Sequence, residues 1–424
     1  MRPSGSSAFT RRLRQLGPGL ITGAADDDPS GIATYSQAGA QFGFSVLWTV
    51  VFTLPLMAAI QIVSARIGYV TRRGLTANIK ATYPRWVVLG VVGMLVAANT
   101  LNIAADLAAM AEALRLLLGG SAHVYAVTFG LLCLALQVFL PYQRYVRWLK
   151  WLTLALLAYV AVVFTLKLDW LEVVRGMVQP TLPKDTGMHA FILLIVAVFG
   201  TTISPYLFFW QAAQEMEDAS NGPAHTASEV RHHLRRIKFD TITGMTFSNL
   251  IAFFIILSTG ATLHAAGVTD IQTSSQAAEA LRPLAGDLTF VLFGLGIIGT
   301  GLLAVPVLAG SAAYAVAEAA GWPGSLSLVL SDPHGGGRGF YGVIAAATIG
   351  GVALCFTPMD PVKELFWSAV LNGIIAVPIM VVMMLLATNA RTMCGHPIGS
   401  RLRALGWAAT AVMAATVVTL FLTL

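Results

Sequence analysis

Three adjacent carboxylates, Asp26-Asp27-Asp28, stand inside an apolar run from about Leu16 to Trp48 and are followed directly by Pro29-Ser30-Gly31. A charge at the depth of a membrane helix costs about 2.5–3.5 kcal/mol on insertion scales, so such groups are kept where they bind or pair with something. Proline removes a backbone N–H, clashes with the preceding turn and turns the residue before it away from helical dihedrals. The helix is therefore expected to break at Asp28-Pro29. A break within a membrane exposes carbonyl and N–H groups that are tolerated only when buried in protein or turned to a polar cavity. Beside a carboxylate they make a cation site. Asp28, next to the proline, is the leading candidate ligand, with Asp27 and Asp26 behind it because successive helical residues diverge by about 100°. An acidic loop between two short helices is the plainer alternative.

The same chemistry recurs at Gly200-Thr201-Thr202-Ile203-Ser204-Pro205-Tyr206, where a glycine, three hydroxyls and a proline interrupt a second apolar run before Gln211, Gln214 and Glu215. A second discontinuous helix is expected here, against the simpler reading of a proline kink. A cation shell is then expected from Asp28 and Ser204, with backbone carbonyls near Asp27, Gly31 and Thr201.

The elements that hold these stretches are membrane helices. The 424 residues are 56% hydrophobic and 11% charged with mean hydropathy +0.74, far from the roughly 25% charge of a soluble domain. Apolar segments fall near 16–42, 46–69, 87–118, 122–140, 148–167, 188–213, 240–260, 288–318, 341–357, 364–388 and 404–424, eleven in all. Each approaches the roughly 20 residues of a crossing, although 341–357 is short. With a cytoplasmic N-terminus, 20 of the 26 Lys and Arg residues fall on the cytoplasmic side, as basic residues do in membrane proteins. The C-terminus is then extracytoplasmic, and the net charge of +6 needs no nucleic acid to explain it. The first segment lacks a small-residue cleavage site and is expected to be retained. Cys133, Cys355 and Cys394 have neither disulfide nor metal-site spacing.

The two broken segments are the first and the sixth. Five crossings separate them, which reverses their orientation, so spans 1–5 (about 16–167) and 6–10 (about 188–388) are expected to be inverted repeats, with 404–424 an additional helix. The expected fold is an all-α polytopic membrane protein with 5+5 inverted repeats and helices 1 and 6 broken, a single transporter domain. No hydrolase triad, Walker loop or dinucleotide fingerprint is present, so neither an enzyme nor a resident cofactor is expected.

These residues carry a family resemblance. Asp28-Pro29-Ser30-Gly31-Ile32 with Gln37-Ala38-Gly39-Ala40 resembles the Asp-Pro-Gly-Asn…Gln-Ala-Gly-Ala motif of the Nramp divalent-metal transporters. Gly200-Thr201-Thr202-Ile203-Ser204-Pro205-Tyr206 resembles their sixth-helix Gly-Ala-Thr-Val-Met-Pro-His, and Asp106-Leu107-Ala108 their third-helix Asp-Leu-Ala. The likeness in span order covers about residues 15–424. It implies a LeuT-like fold and inward metal movement by alternating access in the cell membrane, by a chain acting as a monomer in the bilayer.

Departures from the motifs carry the finer expectation. The family's asparagine falls on Gly31 and its methionine on Ser204. A thioether favours softer transition metals, whereas hydroxyl, carbonyl, carboxylate and retained water suit Mg²⁺, and Mn²⁺ accepts the same oxygens. The pattern resembles the Nramp-related magnesium transporters. The family's histidine is Tyr206, its span-3 glutamates fall on Asn99 and Ala109, and span 9 holds no arginine from Tyr341 to Phe356. Of a proton relay, Asp106 is left, with Glu112 two turns away. Tyrosine, with a reference pKa near 10, carries protons poorly at neutral pH. Two charges moving down about 100 mV supply about 4.6 kcal/mol, enough for uptake without a proton. The expectation is thus Mg²⁺ uptake, with Mn²⁺ also carried, uncoupled from obligatory proton flow; the alternatives are a proton-coupled Mn²⁺/Fe²⁺ symporter, an organic-cation or amino-acid symporter of this fold, and a channel. Asn372 is read either as a cavity residue or as interhelical glue, Gln37 as a gate or packing contact, Glu215, Glu217 and Asp218 as exit lining or a solvated face, and His232 and His233 as loop charge.

Overall fold

The computed structural model describes residues 17–140, 152–181, 187–220, 227–326, 336–358 and 360–423. Arg2, Arg11, Arg12, Arg14, Arg144, Arg147, Lys150 and Lys184 of the charge count, and the first part of the fifth segment, lie outside these residues.

The first expected span is two helices, α1 (Pro18–Asp26) and α2 (Pro29–Phe42). Proline opens each one, at a position whose N–H would be unbonded anyway. A 3-10 turn, Gly43–Val46, begins with Gly43 at φ +56°, a conformation that favours glycine, and leads into α3 (Leu47–Thr71). The short α4 (Leu75–Thr82) precedes α5 (Arg85–Leu118), whose 34 residues rise about 51 Å. Then come α6 (Ala122–Phe139), α7 (Leu157–Val163) after a 3-10 turn, and α8 (Trp170–Val178), N-capped by Asp169.

The sixth span is likewise split into α9 (Met188–Thr202) and α10 (Pro205–Ser220). Beyond it lie α11 (Ala227–Thr259), which ends in a π turn at Gly260–His264, α12 (Thr289–Ala320), α13 (Gly336–Leu354), α14 (Pro361–Thr388) and α15 (Ser400–Leu422). No strand occurs among the described residues. Nine helical stretches among them are long and apolar enough to cross a membrane, of which Pro29–Thr71 contains both α2 and α3.

Helix ends depart from the apolar windows where charge continues a helix past hydrocarbon. The seventh begins at Ala227 rather than near 240, so His232 and His233 sit on its first turns instead of in a loop. An apolar window cannot register turns rich in Arg, Glu and Lys, which are good helix formers. Packing is set by small residues that let backbones approach, the membrane alternative to hydrophobic burial. Gly23 lies directly on Gly244 of α11, and Gly200 on Ala369 and Gly373 of α14; a Cβ at either would enter neighbouring backbone. Both helices that break are thereby pinned close to the break.

Candidate metal site

The first helix stops where the carboxylates begin. Asp27 ends α1 at φ −84°, ψ 52°, and Asp28 is extended at φ −73°, ψ 170°. Asp28 is therefore the N-cap of α2, its Oδ1 accepting the Gly31 N–H at 2.7 Å. In the sixth helix, Ile203 at φ −119°, ψ 62° interrupts the run, and the Ser204 hydroxyl donates to the freed carbonyls of Thr201 (2.8 Å) and Gly200 (3.1 Å). The breaks abut. A Cβ on Gly31 would lie 3.3 Å from the Thr201 hydroxyl, 3.4 Å from the Tyr35 ring and 3.5 Å from the Asp26 carbonyl, so the missing side chain at Gly31 lets the two breaks approach closely.

Tyr206, on the first turn of α10, bridges the two breaks. Its hydroxyl lies 2.9 Å from the Ala25 carbonyl and 3.2 Å from Asp28 Oδ2 and donates its one proton between them. Both Asp28 oxygens are thus bonded. Asp27 and Asp26 turn away toward α11, where the Ser248 hydroxyl lies 2.9 Å from Asp27 Oδ1 and 2.7 Å from Asp26 Oδ2. Asp28, Thr201 and Ser204 are each 2% exposed, so the site is shut off from both sides. On one side the closure is extended by Asp240 of α11, whose carboxylate accepts the N–H groups of Gly17, Gly19 and Leu20 at 3.0, 2.8 and 3.2 Å. It caps α1, whose own N-cap residue, Gly17, has no side chain to do so. On the other side Gln37 bonds the Thr269 carbonyl and the Ile271 N–H, tying α2 to the chain beyond the π turn.

The remaining expected residues divide. Asp106, on α5, is fully buried, and among the described residues no side chain hydrogen-bonds either of its oxygens. Asn99 donates to the Leu308 carbonyl (2.8 Å) and the Ser311 hydroxyl (2.7 Å) of α12 and so ties α5 to α12. Asn372 pairs reciprocally with Asn102, amide to amide at 2.9 and 3.1 Å, joining α14 to α5. Glu112 is paired with Arg115 three residues on. Glu215 lies within 3.6 Å of His233 and 3.5 Å of Arg236, which also reaches Asp218, so these acids form a charge cluster one turn from Asp240. The Tyr314 hydroxyl donates to Glu217 at 2.6 Å.

Oxygen dominates what faces the breaks: carboxylate, hydroxyl and carbonyl. Among the described residues no three His, Cys, Asp or Glu side chains converge as a preformed chelate. A cation held here would draw on one carboxylate, hydroxyls, carbonyls and its own water. Met110, one turn beyond Asp106, has its sulfur against Gly301 of α12. Sequence reasoning missed Ser248 and Asp240. Phe247-Ser248-Asn249 is a polar pair inside an apolar run and was legible as such; nothing in sequence links Asp240 to residues 17–20.

A family model described as natural resistance-associated macrophage protein-like, Nramp, matches residues 19–423. Among solved structures, the Eremococcus coleocola manganese transporter in complex with an aromatic bis-isothiourea substituted compound superposes with TM-score 0.76 at 17% identity, covering 98% of this chain and 87% of that one. Mhp1, a nucleobase-cation-symport-1 family transporter in a closed conformation with bromovinylhydantoin bound, matches at TM-score 0.60 and 11% identity over 96% and 92% of the two chains. At these identities the likeness is one of fold, and the fold is the LeuT-like one.

Proposed function

The chain belongs to the Nramp family, and from that premise we propose that it carries a divalent metal cation across the cell membrane by alternating access, with Mg²⁺ as its main substrate and Mn²⁺ as a second. The observation that carries this reading is the abutment of the two helix breaks at Gly31, with Asp28, Thr201 and Ser204 offering oxygen donors there. Mg²⁺ sheds water reluctantly and is typically held by one or two carboxylates with several waters retained, which suits a single carboxylate flanked by hydroxyls and carbonyls. Mn²⁺ accepts the same donors, and the fold-related transporter from Eremococcus coleocola is described as a manganese transporter.

In the proposed cycle, opening outward releases the Gln37 contacts with Thr269 and Ile271, and opening inward releases α1 from Asp240 and Tyr206 from Ala25. The chain would act as a monomer with eleven crossings, N-terminus cytoplasmic and C-terminus outside, built from repeats at about 16–167 and 188–388 plus the helix near 404–424. Transport is driven by membrane potential without obligatory proton flow, because Asn99 and Glu112 are bonded elsewhere and Tyr206 is engaged with Asp28. One observation favours the second reading, a proton-coupled Mn²⁺/Fe²⁺ symporter: a buried carboxylate with no side-chain partner among the described residues, as at Asp106, is costly when charged and suits a proton-binding role. Proteoliposomes with clamped potential and weak internal buffer decide between them. Voltage-following Mg²⁺ influx at constant internal pH is the expected result; metal-dependent acidification of fixed stoichiometry, abolished by Asp106→Asn, would establish the second reading instead.

A further inference from the structure

Away from the metal site, α11 and α15 both pack on α3 and leave between them a groove of about 700 Å³. Its floor is apolar, formed by Leu54, Ala58 and Ile62 of α3, with Ile242 and Leu405 on the walls. One end is basic: Arg66, Lys238 and Arg401 line it, and no acidic side chain does. None of the three is in an ion pair among the described residues, and the Nε of Arg66 is buried without a hydrogen-bond partner. The same end holds the first turn of α15, where Gly399 provides no side-chain cap, so helix N–H groups there are left to donate to an anion.

The dimensions match one lipid. From Leu54 to Arg66 α3 rises about 18 Å, against roughly 15 Å for the hydrocarbon of one leaflet. An apolar channel of that depth ending in three cations is complementary to an acyl chain beneath an anionic headgroup. We propose that this groove binds an anionic phospholipid, its phosphate held between Arg66, Lys238 and Arg401 and its chain laid along α3. A zwitterionic lipid has the same chain but brings its own cation to the basic end.

Native mass spectrometry of the full-length protein in detergent, titrated with dioleoyl phosphatidylglycerol or dioleoyl phosphatidylcholine, tests this. Each basic residue near an anionic surface contributes roughly a fivefold preference, so retention of the glycerol lipid is expected to exceed that of the choline lipid by at least about tenfold. Combined Arg66→Gln, Lys238→Gln and Arg401→Gln should reduce that ratio below about threefold, whereas Arg73→Gln, Arg391→Gln and Arg403→Gln, an equal loss of charge from outside the groove, should leave it. Arg401 is exposed, so Arg401→Gln alone keeps the fold and should lower retention about fivefold. Ala58→Phe, which fills the floor without changing charge, should weaken both lipids. Equal retention of the two lipids, an equal loss in the outside variant, or displacement by soluble glycerophosphate at the same concentration would overturn the proposal.

Discussion

Replacement of Asp28 by asparagine separates what this residue does for the fold from what it does for the cation. The carboxylate makes two protein contacts, the 2.7 Å bond from Gly31 N–H that caps α2 and the 3.2 Å bond from the Tyr206 hydroxyl. Asparagine is as good an N-cap as aspartate through Oδ1, and its Nδ2, standing where Oδ2 was, donates to the Tyr206 hydroxyl oxygen, which then gives its proton to the Ala25 carbonyl. Asp28→Asn should therefore leave stability within about 0.5 kcal/mol of the parent, while Asp28→Ala loses the cap at a cost of about 1 kcal/mol. Tyr206 still has the Ala25 carbonyl at 2.9 Å, so the alanine variant leaves no hydroxyl stranded. The cation sees a different change. It loses the one carboxylate that caps the break, and contacts with a charged partner are worth about 1.5–3 kcal/mol each, so affinity should fall by about 10- to 150-fold in both variants. The assay is Mg²⁺ uptake into proteoliposomes with binding measured separately by calorimetry, alongside thermal unfolding in detergent. Saturable uptake by Asp28→Asn within threefold of the parent, at unchanged stability, would refute the assignment of the site.

Three further outcomes are expected. Ser204→Met should remove the hydroxyl that bonds the Thr201 and Gly200 carbonyls and supply a soft thioether, raising the affinity of Cd²⁺ relative to Mg²⁺ by at least tenfold in competition uptake; unchanged relative affinities would place selectivity elsewhere. Asp240→Ala should free three N–H groups at the start of α1, weakening the closed state by about 1–3 kcal/mol and speeding thiol labelling of a cysteine introduced at Ala25. Labelling at the parent rate would show that α1 is held without it. Asp106→Asn should leave potential-driven Mg²⁺ uptake within threefold and without a new pH dependence between pH 6 and 8; loss of uptake is the contrary result.

The chain's local chemistry announces both helix breaks. Asp-Pro is an N-cap followed by a first-turn proline, and the structure uses it so at Asp28-Pro29; Pro205 likewise opens the second half of the sixth helix, although the Ser204 hydroxyl bonds back to the half before it. Hydropathy likewise locates the long apolar helices, since apolar length is a one-dimensional property. It could not tell which polar side chains are free and which are spent. Asn99 and Asn372 look like cavity residues along the chain, yet each lies at hydrogen-bond distance from a group more than 200 residues away, a pairing set by how α5 meets α12 and α14. Asp240 was invisible as the cap of α1 for the same reason, and so was Ser248 as the shared partner of Asp26 and Asp27. Backbone dihedrals are set by neighbours in sequence, so the breaks were legible there. The partners of buried polar groups are set by the close crossings of Gly23 on Gly244 and Gly200 on Gly373, contacts between distant parts of the chain that only the tertiary structure decides.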